Sequence, residues 1–357
     1  MTDKPFKALD AEELAAHDQA ARLAGLEDEA RVDAARKLSG CHRRAFIQLA
    51  MSFCRQGDEP LVWGRVAVAA AEASPLSYGP ELLPLAWATL GNAYRVADDM
   101  RAAERAFLIA RDLTDDITDP LDLAKLNSLD ASLSLDLCNH GRAETLLRRA
   151  IQDVQYIASS GFIARLEVKL GLVLTDAEET EEALKWLIRG LLHIDAKESG
   201  RLFLSAAHNL AFCLAEQGRY ESAMRLTHRL ADEYQESGTA RDRVHRDWLV
   251  ARITANRGHH REACDLFQMA SEKSEALDLL NVAGAIHLDR AGLLLTLGRF
   301  SEASLAAAAA SNAFTTSGSP QELLTAVLAV QRGLSQQVAL PRLQHAIEAA
   351  RRKARRA

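Results

Sequence analysis

The sequence has few aromatic residues: Phe, Trp and Tyr make up 5% of the chain, whereas apolar residues of all kinds make up 48%. A core with so few rings is filled mainly by alanine and leucine. These side chains suit helices that lie close together, because small residues at a contact let two backbones approach. No stretch alternates between apolar and polar residues as a strand does, so the pattern predicts an all-α chain.

Cysteine is also scarce. The five cysteines form no CxxC pair and no even framework; they are Cys41, Cys54, Cys138, Cys213 and Cys264. Four of them fall within predicted helices, which predicts buried thiols in a reducing compartment. Residues 1–25 lack the charged and then apolar pattern of a signal peptide. The alanine-rich runs at 66–73 and 303–310 are too short to span a bilayer. We therefore expect a cytoplasmic protein without membrane association.

Motifs for catalysis, cofactors and metals are missing as well. The sequence contains no glycine-rich dinucleotide loop, no P-loop lysine and no HExxH. His259 and His260 are adjacent and would point apart on a helix, so we interpret them as a polar turn. Cys41-His42 lacks the second ligand pair of a zinc site. We expect a non-enzymatic protein with no cofactor and no metal. The net charge of −6 disfavours nucleic acid as a partner.

What the sequence does have is a repeat of forty residues. Six alanines keep this spacing without a gap: Ala103, Ala143, Ala183, Ala223, Ala263 and Ala303. A second small residue stands twelve positions before each of them: Gly91, Ala131, Gly171, Ala211, Ala251 and Ala291. Four positions after them stand Phe107, Leu147, Leu187, Thr227, Phe267 and Ala307. A constant period of this length indicates one supersecondary unit stacked on itself.

Each unit reads as two antiparallel helices of about sixteen residues, each roughly 24 Å long. The position seven residues after each alanine is also small in five of the six units, with Leu230 as the exception. Steps of three, four and seven residues place these positions on one helical face. Gly218, Gly258 and Gly298 recur at the turn between the two helices, where glycine can adopt the left-handed conformation that ends a helix.

One unit carries a family signature almost in full: Trp87-x-x-Leu90-Gly91-x-x-Tyr94, followed by Ala103, Phe107 and Ala110. This unit resembles the tetratricopeptide (TPR) repeat, and the resemblance extends over roughly residues 41–317. The usual TPR unit has about 34 residues, so the chain resembles bacterial-type TPR proteins with longer units. HEAT-type repeats share the forty-residue length but lack the Trp, Leu-Gly and Tyr spacing.

The resemblance implies a right-handed α-solenoid of stacked antiparallel helix pairs, with about seven repeats plus helical caps. We expect N-terminal capping helices over residues 1–40, a TPR-like solenoid over 41–317, and C-terminal capping helices over 318–357. The last segment ends in a basic tail, Arg351-Arg352-Lys353-Ala354-Arg355-Arg356. That tail suits the negative end of a helix dipole, or it contacts an acidic protein or nucleic acid.

In TPR folds the first helix of each unit lines a concave groove that binds peptides or a partner helix. Carried over to this sequence, the groove residues are Asn92, Arg95, Lys125, Arg165, Lys169, His208, Phe212, Trp248 and Arg252. Asn92 stands where many peptide-binding TPRs hold the ligand backbone. Arg165 and Lys169 resemble the basic pair that grips a terminal carboxylate, although Ala88 replaces the matching lysine of the Asn92 unit. The cations predict an acidic peptide as ligand.

Two functions remain open from the sequence. The first is a scaffold, adaptor or regulator that binds a protein or peptide in the groove. The second is a peptide-responsive signalling sensor, in which the ligand changes the curvature of the solenoid and thereby controls a separate effector. Homo-oligomerisation through the alanine-rich face at 303–310 is also open.

Overall fold

The computed structural model describes residues 11–38, 43–73, 82–97, 99–195, 199–319, 321–336 and 339–354, without the side chains of Gln56, Asp116, Glu322, Arg352 and Lys353. Cys41, His42, Arg355 and Arg356 lie outside the described residues. Within these ranges the regular structure consists of α-helices and one 3₁₀ turn, Thr114–Asp116, and contains no strand. None of the described helices is both long and apolar enough to cross a bilayer.

The helices divide between two compact units, Met1–Ser159 and Ser160–Ala357. The first contains α1 (Ala11–Ala24), α2 (Asp28–Arg36), α3 (Arg43–Gln56), α4 (Pro60–Glu72), α5 (Leu82–Val96), α6 (Met100–Asp112), α7 (Pro120–Asp136) and α8 (His140–Val154). The second contains α9 (Ser160–Asp176), α10 (Thr180–His193), α11 (Gly200–Glu216), α12 (Tyr220–Arg229), α13 (Ala231–Glu236), α14 (Ala240–Asn256), α15 (His260–Ala276), α16 (Leu280–Thr296), α17 (Phe300–Thr316), α18 (Gln321–Ser335) and α19 (Leu340–Ala354).

The helix boundaries keep the forty-residue period. The first helices of successive pairs, α7, α9, α11, α14 and α16, begin at residues 120, 160, 200, 240 and 280 and are 17 residues long. The second helices α8, α10, α12, α15 and α17 begin at 140, 180, 220, 260 and 300. Within each unit, each first helix packs on its second helix and on the first helix of the neighbouring pair. The predicted all-α repeat of helix pairs is confirmed.

The small residues of the repeat lie at the helix contacts. All six alanines of the forty-residue series are fully buried. A Cβ added to Gly91 would lie 2.8 Å from Cδ2 of Phe107, and one added to Gly171 would lie 2.6 Å from Cγ of Leu187. The large side chain on the second helix therefore occupies the space that the small residue on the first helix leaves open.

The turn between the two helices of a pair needs a left-handed residue. Gly218, Gly258 and Gly298 have φ angles of 74°, 86° and 72°. Cys138 and Glu178 occupy the same place in their pairs with φ angles of 56° and 64°, a conformation that is costly for residues with a Cβ. Cys138 is exposed in this turn, so the expectation of a buried thiol is wrong there, whereas Cys54, Cys213 and Cys264 are buried.

The second helix that follows α11 is interrupted between α12 and α13. At this point the order of large and small side chains in the repeat is reversed. Thr227 replaces the large residue, and its Oγ1 donates to the carbonyl oxygen of Ala223 at 2.9 Å. Leu230 replaces the small residue, is buried, and separates α12 from α13. Back-bonding of threonine bends helices, and a leucine at the close contact prevents the straight path that alanine allows. The sequence predicted one continuous helix here, and that expectation is wrong.

The end helices cover the outer pairs. Helix α1 packs on α3 and α2 packs on α4, where Nη1 of Arg31 lies 2.6 Å from Oε2 of Glu59. Helix α18 packs on α17, and α19 packs on α18 and α16. The division into caps and solenoid at residues 40 and 317 stays a prediction.

Gly258→Ala tests the left-handed turn. No atom lies within 4 Å of a Cβ added there, so the expected loss of about 1 kcal/mol in the free energy of unfolding arises from the backbone alone. Gly141→Ala is the matched control: it has the same open space but lies in α8, and we expect a gain of about 0.5 kcal/mol. Urea unfolding of both variants measures the difference. Shifts of equal sign would contradict the assignment.

Removal of residues 320–357 tests whether α18 and α19 shield the last pair. In the full chain, Ala307, Ala310 and Phe314 of α17 are fully buried in a cluster with Leu323 and Val327 of α18. Without α18 this face becomes an exposed apolar patch, and we expect aggregation or self-association on size-exclusion chromatography with light scattering. A chain lacking only residues 355–357 is the control. A stable monomeric truncation would show that the face needs no cover.

Candidate ligand-binding cleft

In the first unit, the predicted groove cations lie beside acidic residues. Nε of Arg95 donates to Oδ1 of Asn92 at 3.1 Å, and its Nη1 lies 2.6 Å from Oδ2 of Asp136 on α7. Nζ of Lys125 lies 2.7 Å from Oδ1 of Asp122, one turn earlier on the same helix. Both cations are therefore partly neutralised by carboxylates of the chain itself.

Arg252 in the second unit lies at the centre of a similar network. Its Nη2 donates to Oε1 of Glu216 on α11 at 2.7 Å, and its Nε lies 3.5 Å from Oδ2 of Asp289 on α16. Its guanidinium lies over the ring of Phe212, 5.1 Å from the centroid. Trp248 donates from Nε1 to the same Asp289 oxygen at 2.7 Å. These predicted groove residues thus join three successive first helices.

The acidic partners in these networks were not predicted, although the sequence carries a signal for them. Asp136 follows Arg95 by 41 residues and Asp289 follows Trp248 by 41, whereas Glu216 precedes Arg252 by 36. A separation of 41 is one repeat plus one residue, and a separation of 36 is one repeat minus four residues. Both put the partner on the facing side of the neighbouring first helix, so a search for opposite charges at these two separations would have found Asp136 and Glu216 but not Asp289, whose partner at this separation is the uncharged Trp248.

Arg165 and Lys169 lie on α9, the first of these helices in the second unit. The side chain of Arg165 is exposed and that of Lys169 is half-buried. Their repeat equivalents on α11 are Ser205 and Asn209, which are half-buried. The basic pair therefore lies on the helix that packs beside α11.

A cleft of about 680 Å³ opens between α11, α13 and α14. Its polar lining residues include Ser205, His208, Asn209, Tyr234, Asp242 and His245, and the start of α11 adds the apolar Leu202 and Leu204. Of the nine predicted groove residues, His208 lines this cleft. Tyr234 was missed because a continuous second helix was expected, and the break at Leu230 places α13 against α11.

His208 and Tyr234 form the inner wall of the cleft. Nδ1 of His208 lies 2.6 Å from the hydroxyl oxygen of Tyr234. Burial and the neighbouring His245 together lower the pKa of His208 to about 4. Burial also raises the pKa of Tyr234. At neutral pH the imidazole is therefore uncharged and the phenol is protonated, and the tautomer of His208 sets which of the two groups donates in this hydrogen bond.

His245 continues this wall on α14. Its ring centroid lies 6.4 Å from that of His208 and 6.1 Å from that of Trp248. Burial lowers the pKa of His245, and the nearby charge of Arg241 acts in the same direction. Two uncharged imidazoles thus face each other across helices α11 and α14, and each can both donate and accept a hydrogen bond.

The rim of the cleft is fixed by the start of α14. Thr239 caps this helix, and its backbone N–H and its hydroxyl both donate to Oδ2 of Asp242, at 2.7 and 2.6 Å. Asp242 also pairs with Arg201 of α11. Burial alone would raise the pKa of Asp242, but the bonds from Thr239 and Arg201 outweigh it and lower the pKa. Asp242 therefore stays ionised and ties α14 to α11 at the mouth of the cleft.

The cleft can form hydrogen bonds without adding net charge. Its interior offers two neutral imidazoles, the Ser205 hydroxyl and the Asn209 amide, while exposed Arg241 lies on α14, which lines it, and exposed Arg165 lies on α9, which packs beside α11. In the part of the chain that the structure describes, no three His, Cys, Asp or Glu residues come together as metal ligands would. The arrangement suits an extended chain whose backbone needs donors and acceptors.

Comparison with known proteins supports the fold. No protein-family model and no curated protein matches the sequence. The structure of a Rap protein complexed with Competence and Sporulation Factor aligns with 93% of this chain and with 99% of its own length, at a TM-score of 0.52 and 12% sequence identity. The apo form of RapI aligns with 75% of this chain and with 98% of its own length, at a TM-score of 0.52 and 15% sequence identity. The chain has a TPR-like fold.

A third solved structure with this TPR-like fold is aspartyl phosphate phosphatase F from Bacillus subtilis. It matches 95% of this chain over 97% of its own, with a TM-score of 0.52 and 12% identity. At such identities the likeness concerns the arrangement of helices, and it assigns no residue of the cleft.

The buried imidazole of His208 predicts a pH-dependent stability. Because the pKa of His208 is about 4 in the folded chain and about 6.5 when unfolded, the unfolded state binds more protons between these values. The free energy of unfolding therefore falls as the pH drops from 6.5 to 4, by up to about 1.4 kcal/mol per pH unit from this residue. Urea unfolding at pH 7, 6 and 5 measures the slope.

His208→Gln keeps a hydrogen-bonding partner for Tyr234 but removes the titration, so its slope over this range is expected to be shallower than that of the wild type. His228→Gln changes an exposed histidine of α12 in the same unit and is the control. Equal slopes for wild type and His208→Gln would contradict a buried neutral imidazole.

Proposed function

We propose that this chain is a non-enzymatic adaptor or regulator that binds an extended segment of a peptide or protein in the cleft between α11 and α14. The observation that carries the proposal is the lining of that cleft. The neutral pair His208 and His245, with Ser205 and Asn209, offers donors and acceptors to a peptide backbone on the first helices of two successive repeats. Repeat folds of stacked helix pairs present such surfaces to partners.

We further propose that the ligand is acidic. Arg241 is exposed on α14, which lines the cleft, and Arg165 is exposed on α9, which packs beside α11; such cations steer an acidic segment toward the site. Arg95, Lys125 and Arg252, by contrast, are held in ion pairs within the chain. The acidic preference therefore rests on these two exposed cations rather than on a cationic stripe along all the first helices.

The sensor remains the second candidate function. It is favoured by the likeness to a Rap protein that is complexed with Competence and Sporulation Factor, since that structure shows a fold of this kind with a bound factor. In a sensor, the ligand shifts the chain between two arrangements of its repeats. Small-angle scattering with and without a captured peptide distinguishes the two candidates, because a scaffold keeps its scattering profile and a sensor changes it.

Capture of partners from the native lysate tests the proposal, with Ser205→Trp as the decisive variant. The indole fills the cleft, and we expect at least about a tenfold loss of the captured partner. Ser301→Trp places the same side chain at an exposed position of α17 and is expected to bind as the wild type does. Arg165→Glu should weaken capture and make it less sensitive to the salt concentration. Arg229→Glu, which reverses the charge of an exposed residue of α12, should change neither the amount captured nor its salt sensitivity.

Two results would overturn the proposal. If Ser205→Trp and Ser301→Trp retain the partner equally, the cleft is not the binding site. If the purified protein hydrolyses an acyl phosphate such as acetyl phosphate, and Ser205→Trp abolishes this turnover, the chain is an enzyme and not only a binding protein.

A further inference from the structure

His245 is a side chain of the cleft that the chain itself leaves unpaired. Nδ1 of His208 is engaged by the hydroxyl of Tyr234, and the carboxylate of Asp242 is held by Thr239 and Arg201. The imidazole of His245 lines the same cleft, but it forms no hydrogen bond or ion pair within the part of the chain that the structure describes. Its ring nitrogens stay in part accessible to solvent. A polar group that enters the cleft can therefore bond to His245.

The surroundings of His245 favour its neutral form. Burial lowers its pKa, and Arg241, one turn earlier on α14, acts in the same direction. Asp242 acts in the opposite direction, but its charge is balanced by Arg201 of α11. The other titratable groups of the lining, His208 on α11 and Tyr234 on α13, are uncharged at neutral pH. The walls of the cleft thus carry no net charge.

The helices that pack on α14 from its other sides direct their charges to other partners. Glu221 of α12 pairs with Arg257, Lys273 of α15 pairs with Asp247, and Asp289 of α16 faces Arg252. On α14 itself, Arg246 pairs with Asp247 and lies over the ring of Tyr234. None of the carboxylates in these pairs lines the cleft, so none of them competes with a ligand for His245.

An ionised carboxylate that enters such a site loses water and needs an opposite charge. The neutral imidazole of His245 supplies that charge when it binds one proton from the solvent, because a neighbouring anion favours the imidazolium form. A backbone amide or a glutamine side chain brings no charge and induces no such protonation. Ionised and neutral groups of a ligand therefore differ in whether His245 becomes charged when they bind.

We propose that an aspartate or glutamate side chain of the ligand enters the cleft beside His245, and that His245 takes up one proton as this carboxylate binds. The inference rests on the proposed function, in which an acidic segment occupies the cleft. His208 is less suited to this role, because its Nδ1 is already engaged by Tyr234. Since the complex then holds one proton more than the free chain, the affinity rises as the pH falls toward 6.

The test uses the full chain and two neutralised tripeptides, acetyl-Ala-Glu-Ala-amide and acetyl-Ala-Gln-Ala-amide. Each is titrated at pH 7 and at pH 6 and followed by the NMR signals of the histidine rings. The glutamate side chain stays ionised at both values. We expect the glutamate peptide to bind at least about threefold more tightly at pH 6 and to raise the pKa of His245. The glutamine peptide should bind equally at both.

His245→Gln keeps a hydrogen-bonding side chain that cannot be charged, and it should remove the pH dependence. His228→Gln, at an exposed position of α12, is the control and should keep it. The inference fails if the glutamate peptide does not bind, if it binds equally at both pH values, or if folded His245→Gln retains the dependence. If the glutamine peptide binds and Ser205→Trp abolishes that binding, the cleft remains the binding site even where the inference fails.

Discussion

The helix pairs depend on close contacts at small residues, and in two of them a glycine of the first helix meets a large side chain of the second, Gly91 with Phe107 and Gly171 with Leu187. The contact of Gly171 with Leu187 shows why: a single added carbon would overlap the leucine. Stability in a repeat protein comes from such contacts within and between neighbours rather than from one central core. When the pattern is reversed at Thr227 and Leu230, the second helix breaks, and that break positions Tyr234 for the cleft.

A second constraint makes the repeats different from one another. The position of the signature Trp87 is occupied in later repeats by Asn127, Glu167, Ala207, Asp247 and His287. Buried Glu167 lies between Arg189 and His193, and buried His287 bonds to Glu275 at 2.9 Å. Glu167 is thus matched on α10, the second helix of its own pair, and His287 on α15, the second helix of the preceding pair. Buried ion pairs add little net stability, but a mismatched one is costly, so these pairs oppose exchange of one repeat for another.

Ion pairs between neighbouring first helices then decide which cations are available to a ligand. Arg252 is bound by Glu216 and Asp289, so its main role is to connect helices. The cleft lies where this pattern is interrupted by uncharged side chains, His208 on α11 and His245 on α14.

The sequence by itself determined the helix pairs, their forty-residue spacing and their left-handed turns, because these depend on residues a few positions apart or on an unbroken period. It also indicated His208 as a groove residue. The tertiary structure alone decided the contact of α19 with α16 and the place of Tyr234. These depend on how neighbouring helices are rotated and where one of them breaks, and such geometry follows from packing between repeats rather than from any local pattern.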